Sequence, residues 1–422
     1  MHATIQPERL PRAVHELVEI FAKNDRKAWL VGGCVRDLLL GKEAKDFDFA
    51  TNARPEETRS FFRRTIPTGI AHGTITVLLR GMSFEVTTLR GEKSYSDGRR
   101  PDEIEFVDDI REDLARRDFT INAIAYDLIK DELIDPFGGQ LDLARGIIRT
   151  VGDPLERFRE DGLRILRGAR FASTLEFRLA PETEAAFEPS LDIFAKVSGE
   201  RIRDEWQKAL KARRPSIAFE IMARTGILRT IDAELGAYAA ERRAAFAEAL
   251  AAMDRLEPEF CIRLAALLRG LHADAGSSAK TAEALLRKLR SSRDEMRRVP
   301  LLIRAASTLP ELERPEQWRR LARLAGHDEW ENALAILRAF HPEKTKDIDA
   351  VRDKIRMDLD SGLPLTEKDL AIMGSDLIRE VGLKPGPSIG RILRALFDEA
   401  FADPTLNERS VLLERAKALS KE

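Results

Sequence analysis

The 422 residues are 43% hydrophobic, 34% charged and only 6% aromatic, a globular composition that favours helices over an all-β design. A formal charge of −2 and a pI near 6.4 exclude a globally basic nucleic-acid binder, so any hold on RNA or DNA must come from clustered arginines. The two cysteines, Cys34 and Cys261, lie far apart, fit no zinc or redox spacing, exclude a disulfide scaffold and point to a reducing compartment.

The first residues, MHATIQPERLPRAV, carry acid and proline without an apolar centre, so they read as no signal peptide. No run approaches the length of a membrane span, and the expectation is a cytoplasmic protein with no membrane partner. Val14, Leu17, Ile20 and Phe21 recur at helical spacing and predict a helix over Leu10–Lys23. Four strand-like runs follow, Trp29–Gly33, Asp46–Ala50, Gly73–Leu79 and Met82–Leu89, interrupted by short helices at Val35–Leu40 and Glu56–Phe62. Ile104–Val107 and Glu132–Asp135 are further β-like pieces. After Pro154 the texture becomes amphipathic helix throughout, beginning with one long segment over Leu155–Ser173 and continuing through Ser198–Ala212, Ser216–Arg224, Arg242–Arg255, Cys261–Leu271 and Thr281–Arg290. The fold class expected is α+β: an N-terminal head with a mixed β-sheet over 1–150, then an all-α neck over 151–230 and an all-α body and tail over 231–422.

Within the head, WLVGGCVRDLLLGKEAKDFDFAT (Trp29–Thr51) holds the first chemistry. Asp46 and Asp48 sit at i and i+2, so on a strand they share a face while Phe47 and Phe49 point the other way. Two carboxylates on one face make a hard-oxygen site suited to Mg²⁺. Glu85, in the strand-like SFEVTTLR opposite inward-facing Phe84 and Val86, is the candidate third acid of a two-metal site. Upstream, Gly32-Gly33 between strand and helix offers backbone N–H groups to phosphate oxygens, and Arg36 adds a charge-assisted bond. A Gly-Gly pair alone is a turn and an Asp-x-Asp alone is a solvated loop, but in this order they point to phosphoryl transfer.

These residues carry a resemblance. Leu30-Val31-Gly32-Gly33-Cys34-Val35-Arg36-Asp37 with Leu39-Leu40-Gly41 and Asp46-Phe47-Asp48 resembles the first motif of class II tRNA nucleotidyltransferases, the CCA-adding enzymes and bacterial poly(A) polymerases of the polymerase-β-like superfamily. Arg116-Arg117-Asp118-Phe119-Thr120-Ile121-Asn122-Ala123 and Asp135-Pro136-Phe137-Gly138-Gly139 with Asp142-Leu143 extend the likeness over about the first 210 residues. It implies a nucleotidyltransferase head, Mg²⁺ as cofactor, tRNA as partner, and CTP and ATP as substrates. It also implies that Arg117 touches the nucleotide and Asp118 its ribose. Arg167 and Arg170 would reach the triphosphate or support the base-reading pair, Asn122 would hold the local fold, and Gly138-Gly139 would mark where head meets neck. Ser198-Gly199-Glu200-Arg201-Ile202 with Glu205-Trp206 resembles the last motif of the family, read as scaffolding.

The stretch RFREDGLRILRGARFAS (Arg157–Ser173) supplies the base reader. On one helix Asp161 and Arg164 lie a turn apart, and Arg164, Arg167 and Arg170 continue at i+3 steps. A carboxylate accepts and a guanidinium donates, which matches the amino group beside N3 of cytosine and beside N1 of adenine. Uracil and guanine show the reversed order and leave mispaired buried groups at about 1–3 kcal/mol each. In the resembled family the Glu-Asp-x-x-Arg positions, here Glu160-Asp161-Gly162-Leu163-Arg164, have this role.

The loop Gly91–Pro101 and His72-Gly73-Thr74 look more like full CCA addition than CC addition or poly(A) synthesis, although Arg100 stands where many relatives carry His. Lys384–Arg391 reads as a turn into a helix with Ser388 near the N-cap, and Arg287–Arg290 with Arg293, Arg297 and Arg298 as an RNA contact or a solvated face. His327-Asp328 lacks the companion histidines of a phosphohydrolase site. The reading is template-independent addition of C, C and A to the tRNA 3′ end. A CC-only or A-only enzyme, a poly(A) polymerase, a small-molecule nucleotidyltransferase and a noncatalytic RNA binder on the same scaffold remain alternatives. No motif specifies an oligomeric state.

Overall fold

A computed structural model describes residues 5–44, 46–69, 73–92 and 104–420. Two compact units divide the chain, Met1–Gly236 and Ala237–Glu422. His72 and most of the Gly91–Pro101 loop lie outside the described residues.

The first unit opens with helix α1 (Arg12–Lys23), which starts two residues later than its periodicity suggests because Pro11 occupies the N-cap. Strand β1 (Ala28–Val31), helix α2 (Gly33–Leu39), strand β2 (Asp48–Thr51) and helix α3 (Pro55–Phe61) follow. Strands β3 (Thr65–Gly69), β4 (Thr74–Leu79) and β5 (Met82–Thr88) form a meander, and β6 (Arg90–Glu92) pairs with β7 (Ile104–Phe106) as a separate ribbon. Next come helix α4 (Ile110–Ala115), β8 (Ala125–Asp127), β9 (Glu132–Ile134) and helix α5 (Gly139–Arg145). The main sheet has seven strands in the order β3-β4-β5-β2-β1-β8-β9. Every pair in it is antiparallel except β2 with β5, whose register sets Asp48 beside Glu85. That one parallel pairing makes the sheet mixed, as the texture of the sequence predicts.

Trp29, Val31, Ala50, Leu89, Ala123 and Ala125 fill one face of the sheet against Ile110 and Leu114 of α4, and Val151 completes the same cluster. The expected edge at residue 150 therefore falls inside one packed unit. A short parallel pair, β10 (Ile147–Ile148) with β11 (Arg178–Leu179), brackets helices α6 (Pro154–Glu160) and α7 (Leu163–Leu175). Helices α8 (Pro181–Ala185), α9 (Leu191–Phe194), α10 (Gly199–Leu210), α11 (Ser216–Arg224) and α12 (Ile227–Ile231) complete this part.

Two expectations fail here. The single helix over Leu155–Ser173 is two, broken at Asp161-Gly162, where Asp161 is extended (φ −150°, ψ 106°). The break is forced by packing, because a Cβ on Gly162 would lie 2.8 Å from the carbonyl oxygen of Ile193. Strand β3 is also absent from the sequence reading: its residues, TIPTG, carry Pro and Gly, which mark turns, yet Pro is compatible with the outer strand of a sheet.

In the second unit, α13 (Ala233–Glu241) spans the boundary and is followed by α14 (Arg243–Arg255), α15 (Phe260–Leu268), α16 (Ala275–Lys288) and α17 (Arg293–Ala305). Helix α15 is buried along its whole length, which is why its sequence, FCIRLAALL, is apolar on every face but for Arg263. Burial of Arg263 is met by its guanidinium donating to the Leu256 carbonyl. Ser292 and Glu295 form a reciprocal capping box at the start of α17. Helix α18 (Pro315–Phe340) is kinked at Gly326, and α19 (Thr345–Asp360), α20 (Gly374–Asp376), α21 (Pro387–Ala402) and α22 (Arg409–Leu419) end the chain. The last two pack Leu396, Phe397, Leu412 and Ala416 into their own core cluster. No helix among the described residues is long and apolar enough to cross a membrane.

Candidate active site

Strand β1 ends in the turn that builds the floor of the site. Gly32 has φ +74°, a left-handed backbone that favours glycine, and a Cβ there would stand 2.9 Å from Arg117 Nη1 and push that guanidinium aside. Gly33 begins α2 and puts Arg36 one turn on, where its Nη1 donates to Asn122 Oδ1 at 2.7 Å. Asp48, at the start of β2, reaches the same place from the next strand. These residues line one cavity of about 570 Å³ with Arg116, Arg117, Asp118, Asn122, Asp161, Leu163, Arg164, Arg167, Arg170, Phe171, Arg201 and Lys208. Eight of the lining side chains are cationic and three are acidic, a local excess of positive charge in a protein whose formal charge is −2.

Asp46 and Glu85 are exposed and stand outside that lining, next to Asp48 in chain and in sheet. Burial raises the Asp48 carboxyl above the usual range, the negative charge of Glu85 raises it further, and Arg117 opposes both. No trio of His, Cys, Asp or Glu gathers as a closed metal cage among the described residues. The donor set nevertheless suits a divalent cation: two neighbouring carboxylates whose repulsion already perturbs one of them, with hard oxygen ligands and an open side.

Asp118 is the anchor of the arginine wall. It is buried, its Oδ1 accepts from Phe119 N and Asn122 Nδ2, and its Oδ2 accepts from Arg167 Nε at 2.7 Å. Burial alone would raise its pKa, but the Arg167 charge and these hydrogen bonds hold it down at about 2. Arg170 pairs with buried Glu205 and stacks 3.8 Å from the centre of the Phe171 ring, while Arg36 and Arg167 approach the same ring at 5.3 and 5.4 Å. Asn122 thus does more than hold the local fold, since it ties Arg36 to Asp118.

Asp161 and Arg164 both reach the cavity, though not as one-turn neighbours on a helix. Asp161 lies in the break between α6 and α7, its Oδ1 accepting from Leu163 N at 3.0 Å and its Oδ2 from Arg201 Nη2 at 2.6 Å. Arg164 donates to Glu160 at 2.5 Å and to the Arg116 carbonyl at 2.9 Å. Each side chain is therefore pinned by a partner of its own. The carboxylate keeps lone pairs and the guanidinium keeps N–H groups beyond these bonds.

The sequence reading missed Arg201, Lys208 and Arg116 as lining residues. The alternation of acid and base in GERIRDEWQK was the available signal, for it places Arg201, Glu205 and Lys208 on one side of α10. Elsewhere, Gly386 is the N-cap of α21 with Pro387 first in the helix, and no side chain caps it. Arg297 pairs with Asp294, and Arg298 with Glu329 and Glu259. His327 Nε2 lies 3.1 Å from Asp369 Oδ2 and belongs to no metal cluster among the described residues.

Comparison with known proteins gives three family matches: "Poly A polymerase head domain" over residues 28–149, "Probable RNA and SrmB- binding site of polymerase A" over 176–235, and the second domain of tRNA nucleotidyltransferases over 271–416. The CCA-adding enzyme of Ligilactobacillus salivarius is 34% identical over 424 residues, covering 99% of this chain and 98% of that one. The crystal structure of the Bacillus stearothermophilus CCA-adding enzyme in complex with CTP superposes with a TM-score of 0.79 at 31% identity, covering 97% of this chain and 98% of the other. The Thermotoga maritima CCA-adding enzyme complexed with tRNA shares the fold, with a TM-score of 0.65 at 22% identity over 98% and 97% of the two chains.

Proposed function

The chain belongs to the CCA-adding enzymes, and on that premise we propose that the arginine-lined cavity carries out template-independent transfer of C, C and A from CTP and ATP to the 3′ end of tRNA. In each step the terminal ribose hydroxyl loses its proton, its oxygen bonds to the α-phosphorus, and the bond to the departing pyrophosphate breaks. One observation carries the reading: a single cavity gathers the Gly32-Gly33 turn, a wall of arginines and the Asp161–Arg164 reader, so phosphate and base are recognised together.

Gly32, Gly33, Arg36 and Arg117 receive the triphosphate, and Arg167 and Arg170 extend the positive wall around it. Asp118 faces the ribose while keeping Arg167 in place. Asp161 and Arg164 read the amino-bearing edge that cytosine and adenine share, each oriented beforehand by Arg201 and Glu160 respectively. Asp46, Asp48 and Glu85 are the residues to hold Mg²⁺, which when bound supplies Lewis acidity to the attacking hydroxyl and charge neutralisation to the leaving pyrophosphate. The second unit is assigned to tRNA, and the head, neck, and body-and-tail divisions at 150 and 230 are kept as functional rather than packing boundaries. Both cysteines are free and buried, in keeping with a reducing cytoplasm.

The test uses a tRNA lacking its last three nucleotides. Chelation of divalent ions is expected to stop incorporation and to spare tRNA binding, with Mg²⁺ restoring activity. Asp48→Asn lowers turnover by more than about a hundredfold at unchanged tRNA affinity, as expected for loss of a metal ligand. Full activity of Asp48→Asn, or activity in the chelator, overturns the assignment.

A further inference from the structure

The tandem arginines of the site depend on a carboxylate that lies outside it. Asp113, on α4, is 1% exposed and is absent from the cavity lining. Its Oδ1 accepts from Arg116 Nη2 at 2.5 Å and its Oδ2 from Arg117 Nη2 at 3.2 Å, so one carboxylate holds two consecutive guanidiniums, each by its own oxygen. Both arginines line the cavity. Spacings of i+3 and i+4 from Asp113 make the fork possible, since one turn of α4 and its end bring all three side chains to one side.

A buried carboxylate is tolerated only when it is paired, and this one is. Burial pushes its pKa up, yet the charges of Arg116 and Arg117 outweigh that and leave it below the usual range, so it is ionised near neutral pH. The pairing has a consequence for the floor of the site. Arg117 Nη1 donates to the Asn122 carbonyl at 3.4 Å and comes within 2.9 Å of where a Gly32 side chain would begin. Among the described residues Nη1 and Nη2 each give one N–H to the protein, so each terminal nitrogen keeps one for an anion above the Gly-Gly turn, while the Nε–H is buried.

We propose that Asp113 is a positioning residue for nucleotide binding: it fixes Arg117 over the Gly32-Gly33 turn, and Arg116 in the wall of the same cavity, so that the triphosphate meets preformed cations. This deepens the functional reading above and rests on it. Because the contact serves the phosphates and not the base, its loss affects CTP and ATP alike. It leaves the choice of base to Asp161 and Arg164.

Asp113→Asn keeps the size of the side chain and removes the charge. Equilibrium binding of CTP and of ATP to the whole protein, measured without metal, is expected to weaken about tenfold for both, with KM rising in parallel and kcat falling less. In an Arg117→Ala background the same substitution has almost no further effect, because the group it positions is gone. A general loss of structure does not produce that non-additivity. Unchanged nucleotide affinity in Asp113→Asn, or a full additional loss in the Arg117→Ala background, overturns the inference. Should Asp113→Asn fail to fold, Asp113→Glu keeps the charge but displaces it by one methylene. An intermediate loss of about threefold is then expected for both nucleotides, and none overturns the inference. The unaltered protein is assayed alongside: binding without incorporation into tRNA sinks the functional reading alone, and absence of nucleotide binding sinks both.

Discussion

Asp118 shows how much a single carboxylate carries when it is buried against cations. Its folded pKa of about 2 lies below the unfolded value of roughly 4, so folding is favoured by the ionised form. The stabilisation is complete above the unfolded pKa and is lost as pH falls through the folded one, a contribution on the order of 2 kcal/mol. The urea midpoint of the protein is expected to drop between about pH 4.5 and 2, and Asp118→Asn to flatten that part of the curve. An acid limb of the same size in Asp118→Asn contradicts the assignment. The Asp161–Arg164 pair was legible in the sequence from its spacing and chemistry, whereas Arg117 and Asp118 were singled out only by the resemblance of Arg116-Arg117-Asp118 to a family motif. The partners of these groups were not legible: Asp161 meets Arg201 from forty residues on, and no local pattern announces such a contact.

Elements were read best where hydrophobic period and turn chemistry agree. Helix α11 matches its expected limits of Ser216–Arg224, and β1, β2, β4 and β5 lie within about two residues of their expected ends. The reading failed where tertiary packing overrode the local signal. Apolar spacing runs straight through Phe158, Leu163 and Leu166, so the break at Asp161-Gly162 is invisible to periodicity and is imposed by the chain at Ile193. Gly162→Ala puts a methyl against that carbonyl and is expected to cost about 1–3 kcal/mol. It also moves Asp161, so the urea midpoint and the discrimination between CTP and UTP should fall together. Loss of stability with intact discrimination argues that the break serves packing alone.

At the scale of the whole molecule, charge and length agree with what the fold does. The near-zero net charge is reconciled with an anionic substrate by concentrating cations in one cavity while ion pairs neutralise arginines elsewhere, as with Arg319 and Asp358. The sequence placed a sheet-bearing head before a helical remainder, and the elements follow that order, while the first compact unit, ending at Gly236, holds the sheet together with the helices of residues 154–231. That boundary was hard to read because it falls inside helix α13, with no proline and no glycine-rich run beside Gly236.

On the proposed function, one cavity adds C, C and A and chooses them by the Asp161–Arg164 reader. The most direct test offers the protein a tRNA ending before CCA, with Mg²⁺ and CTP, ATP, UTP or GTP singly and together, and resolves products nucleotide by nucleotide. Addition of C, C and then A is predicted, with UTP and GTP refused, and discrimination loosened by about ten- to a hundredfold in Asp161→Ala and Arg164→Ala. Incorporation that stops short of A, accepts uridine freely, or keeps its selectivity in both variants would contradict the account.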